Sequence, residues 1–329
     1  MEDKKQHCLL GGSSSGRWIN CQPSARLTED MEDVTSVYAE EGTNAHALCE
    51  YKLNRALENN DPYPELTMFD KEMDECSDSY VSFVLEKIRE MKEETNEKVE
   101  VFIEHKVNFD TWVKDGFGTA DCILVSSKRL HIIDFKYGRG VSVDATNNSQ
   151  LKLYALGAIS ELLVFYDFDK VSLSIYQPGL NNVSTWKTSK DELLKWTSEV
   201  VKPAAELAYE GKGIFRCGSW CKFCPCKAIC KERSKVALDI LQKEFRSPKE
   251  RKVYDDLNKN FAIEIKDKDI TIANAGVLSN KLIQMASGAI YLEDKSYTEI
   301  HDKKLDALED LIEGSRGKSL LVAYWLNPI

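Results

Sequence analysis

Asp134 and Lys136 stand two apart in IIDFKYG, within a run that otherwise reads as a buried strand. Alternation puts both side chains on one face and turns Phe135 toward a core. A carboxylate and an ammonium facing apolar surroundings are costly unless they pair or bind metal. A strand-end salt bridge is the plainer account of the Asp-x-Lys pattern taken alone. Asp121 closes GFGTAD at the start of the preceding strand, and a short hairpin would bring it beside Asp134. Two carboxylates are hard oxygen ligands suited to Mg²⁺ or Mn²⁺, and a nearby lysine can orient water or offset charge developing on a phosphate. His46 sits in a helical stretch ahead of these strands. Gln150 and Tyr154 lie four apart in a helix after them, so they share a face.

The elements that must hold these residues follow from hydrophobic period and turn signals. A helix is expected over about 35–57. Strands are expected in KVEVFIEHKVNF (98–109), GFGTADCILVS and RLHIIDFKYG. NNSQLKLYALGAISELLVFY is helical with an Asn-rich start, and KVSLSIYQP is a fourth strand. SKDELLKWTSEVVKPAAELAYEG is helical with a Ser cap and a break near Pro203. The order of helix, three strands, helix, strand, helix predicts an α/β fold whose mixed sheet is flanked by helices.

A second group is the cysteine run CGSWCKFCPCKAIC, holding Cys217, Cys221, Cys224, Cys226 and Cys230. Such density, in a chain expected to be cytoplasmic, points to a metal site rather than disulfides. Tetrahedral Zn²⁺ and an iron–sulfur cluster both suit the thiolates, and spacing alone does not choose. Cys8, Cys49, Cys76 and Cys122 read as ordinary thiols.

Charge is divided along the chain. The 329 residues carry a net charge of −10, yet residues 211–252 hold 12 Lys/Arg against 4 Asp/Glu, and residues 27–100 hold 7 against 21. A polyanion meets a local patch rather than the total, so the overall acidity does not exclude DNA. The acidic run reads as solvated helix faces. No stretch approaches the ~20 apolar residues that span a bilayer, so no membrane association is expected. The opening MEDKKQHCLLGGSSSG has no apolar core for a signal peptide. A cytoplasmic location is expected, in a bacterial host or from a prophage.

Taken together, His46 in GTNAHALCEY, GTAD, IIDFK and Gln150-x3-Tyr154 resemble the RecB-like, AddB-like branch of the PD-(D/E)xK nuclease superfamily, over about residues 15–240. The wording GTADCILV, LHIIDFKYGRGVSV and NNSQLKLYALGA looks more specifically like a phage and prophage family of unknown function, family 2800. That resemblance implies a restriction-endonuclease-like core and a metal-dependent deoxyribonuclease, read as an exonuclease, acting on DNA beside phage replication or recombination proteins. It implies His46, Asp121, Asp134 and the main-chain carbonyl of Phe135 as ligands to Mg²⁺ or Mn²⁺. Lys136 would be the catalytic lysine, with Gln150 and Tyr154 supporting the site or touching DNA. Glu104 is an extra carboxylate with weaker support. Iron–sulfur members of this branch use one cysteine before the core and three after it in C-x2-C-x5-C spacing. The resemblance therefore implies a [4Fe–4S] cluster on Cys21, Cys221, Cys224 and Cys230, with Zn²⁺ as the alternative and Cys217 and Cys226 as surplus. Other readings are a catalytically inactive DNA-binding or scaffold protein that keeps the fold, and a zinc-stapled interaction module.

The nuclease domain is expected over 1–246. Residues 247–329, ending in SLLVAYW and a short tail, resemble part of a phage Swi/Snf-type helicase. They imply a mostly helical fragment of a RecA-like domain. No G-x4-G-K-[ST] loop occurs, and GGSSSGRW lacks its Lys and Ser/Thr, so no ATP binding is expected.

Overall fold

A computed structural model describes residues 8–31, 37–138 and 141–233, with shorter stretches between 235 and 299. The chain forms two compact units, Met1–Phe215 and Arg216–Ile329.

The first unit opens with short helices α1 (Ser15–Asn20) and α2 (Ser24–Leu27), then α3 (Val37–Ala56) and α4 (Lys71–Thr95). The acidic run thus includes a long two-faced helix. α4 buries Met73, Tyr80, Phe83, Val84, Ile88 and Met91 at helical spacing and turns many of its acids to solvent. Asp70 caps it by accepting from the Met73 amide at 2.7 Å.

Strands β1 (Glu100–Asn108), β2 (Phe117–Val125) and β3 (Arg129–Phe135) form an antiparallel meander. Helix α5 (Ser149–Leu162) crosses over to β4 (Lys170–Gln177), which runs parallel to β3. β5 (Asn182–Ser189) adds an antiparallel edge, giving the order β1-β2-β3-β4-β5. β3 is buried along nearly its whole length, as a central strand covered on both faces must be. One core lies on the α5 side, around Leu130, Ile132, Leu153 and Leu173. The other lies on the α3/α4 side, around Leu48, Tyr80, Leu124 and Phe135. Asn148 caps α5, accepting from the Gln150 and Leu151 amides.

The expected break at Pro203 takes another form. Helix α6 (Lys190–Trp196) passes through a π-helical turn, Thr197–Val201, into α7 (Lys202–Tyr209). Proline offers no N–H to the carbonyl one turn back, and a widened turn absorbs the loss without ending the helix. Ser189 caps α6 in a reciprocal capping box with Glu192.

Described by itself, the second unit holds 3₁₀ turns at Ser219–Phe223 and Pro225–Ala228. It also has two antiparallel pairs, β6 (Ala262–Ile265) with β7 (Lys268–Thr271) and β8 (Ala289–Tyr291) with β9 (Tyr297–Glu299). SLLVAYW lies outside the described residues. Among the described residues, no helix is long and apolar enough to cross a membrane.

Candidate metal centre

The β2–β3 hairpin sets the first contact. Its register pairs Cys122 with Ile133, which leaves Asp121 beside the end of β3. There Asp121 Oδ2 accepts from the Phe135 amide at 2.7 Å. The Phe135 ring turns the other way, edge-on to His46 at 5.3 Å and against Tyr80 at 5.1 Å.

On the other side of β2 the ladder skips one pair. Ile103 pairs with Cys122 and His105 with Ala120, while Glu104 has φ of 44°. A left-handed glutamate inside a strand costs of order 1–3 kcal/mol and persists only where the surroundings enforce it. The result is a change of face. Ile103 and Cys122 pack on the α3/α4 side. Two residues on, Ala120 is in the α5-side core, and His105 pairs with Glu161 of α5 at 2.9 Å. Glu104 and Asp121 sit at the crossover and converge on His46 from α3. His46 Nδ1 lies 3.5 Å from Asp121 Oδ1 and 3.7 Å from Glu104 Oε1. One ligand atom from each of the three falls within 4.8 Å of the others, a donor set that fits a divalent cation.

Asp134 is 1% exposed and heads a second set. Gln150 Nε2 donates to Asp134 Oδ1 at 3.2 Å and to the Tyr154 hydroxyl at 3.0 Å. Lys136 Nζ lies 2.8 Å from Asp134 Oδ2 and donates to Gln150 Oε1 at 3.4 Å. The approach to Oδ2 is a close ion pair whose angles fall short of a hydrogen bond, so this buried oxygen has no aligned donor. A buried carboxylate oxygen in that state suits a cation. Two glycines hold the Tyr154 ring, since a Cβ at Gly12 or Gly118 would come within 2.6 Å of it. The glycine of GTAD is thus required by a close approach.

The surroundings shift the two carboxyls in opposite directions. Burial pushes Asp134 up to about 6, despite Lys136. Burial also acts on Asp121, but the His46 charge outweighs it and leaves that carboxyl below its usual range. His46 in turn is raised to about 10, because Asp121 and Glu104 overcome its desolvation. Lys136 rises as well, with Asp134 and Asp121 overcoming burial. Burial raises the Tyr154 hydroxyl, which stays a neutral hydrogen-bonding group.

The structure therefore gathers His46 with Asp121, and Asp134 with Lys136, Gln150 and Tyr154, and joins the sets through the Phe135 amide. Glu104, weakly supported in the sequence, stands with His46 and Asp121. Its only signal was a charge on an otherwise alternating strand. Of the cysteines, Cys21 is buried at the end of α1, in the first unit. Cys217, Cys221, Cys224, Cys226 and Cys230 belong to the second. Cys224 Sγ and Cys226 Sγ lie 3.3 Å apart. Burial and the adjacent Cys221 push the Cys217 thiol up to about 12.

A family model described as protein of unknown function (DUF2800) matches residues 7–275. The chain belongs to this family. The DUF2800 match spans both side-chain sets and the cysteine run. Putative protein p41 of Acyrthosiphon pisum secondary endosymbiont phage 1 is 42% identical over 83 residues, which is 25% of this chain and 18% of p41. The match thus spans less than a fifth of that relative. The crystal structure of SSO0001 aligns at 15% identity over 64% of this chain and 93% of that one. Its TM-score of 0.26 is too low to carry an argument.

Proposed function

We propose that this DUF2800 protein is a metal-dependent DNA nuclease of the PD-(D/E)xK type, an exonuclease serving phage or prophage DNA replication, recombination or repair. The observation that carries the reading is the convergence of His46, Glu104 and Asp121 beside the buried Asp134–Lys136 pair. Helix α3 and the three strands of the meander supply these groups, and a mere strand-end salt bridge would need neither the imidazole nor the extra carboxylates. When bound, a Mg²⁺ or Mn²⁺ ion polarises water and offsets phosphate charge. His46, Glu104 and Asp121 would hold it, with Asp134 and the Phe135 carbonyl completing the set. Lys136 is aimed by Asp134 and Gln150, which keeps its ammonium where a phosphate oxygen can be met. Tyr154 fixes the amide of Gln150 and so the direction of that lysine.

The test is degradation of linear and closed-circular DNA, single- and double-stranded, with Mg²⁺ or Mn²⁺. Linear substrate is expected to be lost, and Lys136→Ala is expected to slow that loss by about 10²–10³-fold, the range for removing one charge-stabilising group. Full activity in the variant would reject the site. No activity in the wild-type protein on any substrate would favour the non-catalytic scaffold.

The cysteine run is proposed to seat a [4Fe–4S] cluster on Cys21, Cys221, Cys224 and Cys230, because its thiol-dense chemistry fits iron or zinc and the resemblance favours iron. Protein purified without oxygen is expected to be brown and to contain iron and acid-labile sulfide, both lost in Cys224→Ser. Colourless protein with stoichiometric zinc would replace the cluster by a zinc site. Residues 247–329 are proposed to be a helicase-derived segment without ATP hydrolysis.

A further inference from the structure

The sheet face turned toward α4 carries a cavity of about 260 Å³ that the metal centre does not use. Strand register builds its floor. His131 pairs with Ser172, and Ser172 with Lys187, so these three side chains form a row across β3, β4 and β5. Thr185 lies one pleat further along β5, opposite Ser174. The same face carries apolar Leu124 and Ile133 on β2 and β3, so the polar row interrupts a hydrophobic surface. Buried polar groups on a covered sheet face are costly without partners.

Arg129 and Lys87 are half-buried here, while Glu90, Glu94 and Lys187 are exposed at the rim. Arg129 Nη2 donates to Ser172 Oγ at 3.0 Å, and the guanidinium also pairs with Glu94. Glu94 takes Lys170 as well, at 3.8 Å. Lys87, from α4, is held by Glu90 at 2.9 Å. Lys187 has no carboxylate within ion-pair distance among the described residues. Three cations, Lys87, Arg129 and Lys187, thus line the cavity against the two carboxylates Glu90 and Glu94. His131 Nε2 bonds Ser174 Oγ at 2.7 Å, and Ser174 bonds Thr185 at 2.8 Å. Burial, then the fields of Arg129, Lys87 and Lys187, hold the ring neutral, pushed down to about 3. Lys87, Arg129 and Lys187, from three separate elements, thus all line the cavity.

We propose that this cavity binds a terminal phosphate together with the single nucleotide that carries it. An unpaired ammonium, a serine hydroxyl held by the Nε and Nη2 of Arg129, and a second hydroxyl on a rigid sheet are groups that recognise a phosphate dianion, with the guanidinium, paired to Glu94, adding its charge. Glu90 and Glu94 at the α4 wall accept from hydroxyl or amino groups of what the phosphate carries. The cavity volume admits a mononucleotide or a single strand end and excludes a duplex. It is separate from the metal centre. Arg129 begins β3 and Asp134 lies five residues on, roughly 17 Å along the strand and on the other face. The site does not rest on the nuclease reading.

The experiment is calorimetric titration of the full chain with inorganic phosphate, deoxyadenosine 5′-monophosphate, deoxyadenosine and a 5′-phosphorylated single-stranded oligonucleotide. Saturable binding is expected for the phosphorylated probes and none for deoxyadenosine. Lys187→Ala is expected to weaken binding at least tenfold. That side chain is exposed on an edge strand, so the fold is retained. Ser172→Ala should weaken it as well, and Lys98→Ala, at an exposed lysine outside the cavity, should leave it unchanged. Binding of the mononucleotide but not of the oligonucleotide would identify a free nucleotide as the ligand. Preference for the oligonucleotide would identify a strand end. Absence of binding by every phosphorylated probe, or equal binding by Lys187→Ala, would overturn the site.

Discussion

Asp134→Asn is expected to lower Mg²⁺-dependent DNA hydrolysis by about 10²–10³-fold or more, while making the metal-free protein more stable at neutral and alkaline pH. The two effects share a cause. Asp134 is 1% exposed, and burial raises its carboxyl from the ordinary 3.8 to about 6 even with Lys136 beside it. A raised folded-state pKa for an acid means that the fold disfavours the ionised form. The penalty is fully present above about pH 6, shrinks as pH falls toward 3.8, and is gone below that. At 1.36 kcal/mol per pKa unit the cost is on the order of 2–3 kcal/mol, and asparagine removes it without changing shape. Thermal melts in chelator should show the variant ahead of wild type by a few degrees at about pH 8, and level with it near pH 4. Retained hydrolysis would reject Asp134 as a functional group. A variant less stable than wild type at every pH would show that the carboxylate is a structural ion-pair partner.

Much of the fold is legible because its strands obey simple period rules. β1 to β4 coincide with the alternating or continuous apolar runs, and α5 with an Asn-started helical pattern. β5 escapes because NVSTWKTS is largely polar and this edge strand half-buries only one face. α4 escapes as a core element because its surface acids dominate the composition of the run, although every third or fourth position is apolar. The break at Pro203 is overread, since a sequence shows the missing N–H but not the π turn that accommodates it.

The candidate site is legible where spacing equals geometry. Asp134 and Lys136 meet because a strand repeats every two residues, and Gln150 and Tyr154 because a helix repeats every three to four. Glu104 is hidden because its direction depends on a single left-handed residue that reverses facing within β1. Parity alone would pair it with Phe102 on one face. The row of His131, Ser172 and Lys187 is hidden for a related reason. It exists only across three strands, and each member alone reads as an isolated polar residue.

The steepest response to pH is expected in metal affinity rather than in folding. His46 Nδ1 sits 3.5 Å from Asp121 and 3.7 Å from Glu104. Those carboxylates overcome its desolvation and raise it to about 10. Without metal, the imidazolium proton supplies the positive charge that the two acids require. A cation can take His46 as a ligand only by displacing that proton. Mn²⁺ association should therefore strengthen by about tenfold per pH unit from about pH 6 to about pH 9, one proton being released per ion. Below about pH 6 Asp134 also takes up a proton, and the dependence should steepen toward two protons per ion. Calorimetry in buffers of different ionisation enthalpy counts the protons directly. Glu104→Gln removes one of the two carboxylates that hold the imidazolium, so it should weaken Mn²⁺ binding and also bring the onset of the pH-independent region to lower pH. A purely structural glutamate would change neither the proton count nor that onset. Affinity independent of pH across the same range would mean that His46 is not a ligand, leaving Asp121, Asp134 and Glu104 to hold the ion alone.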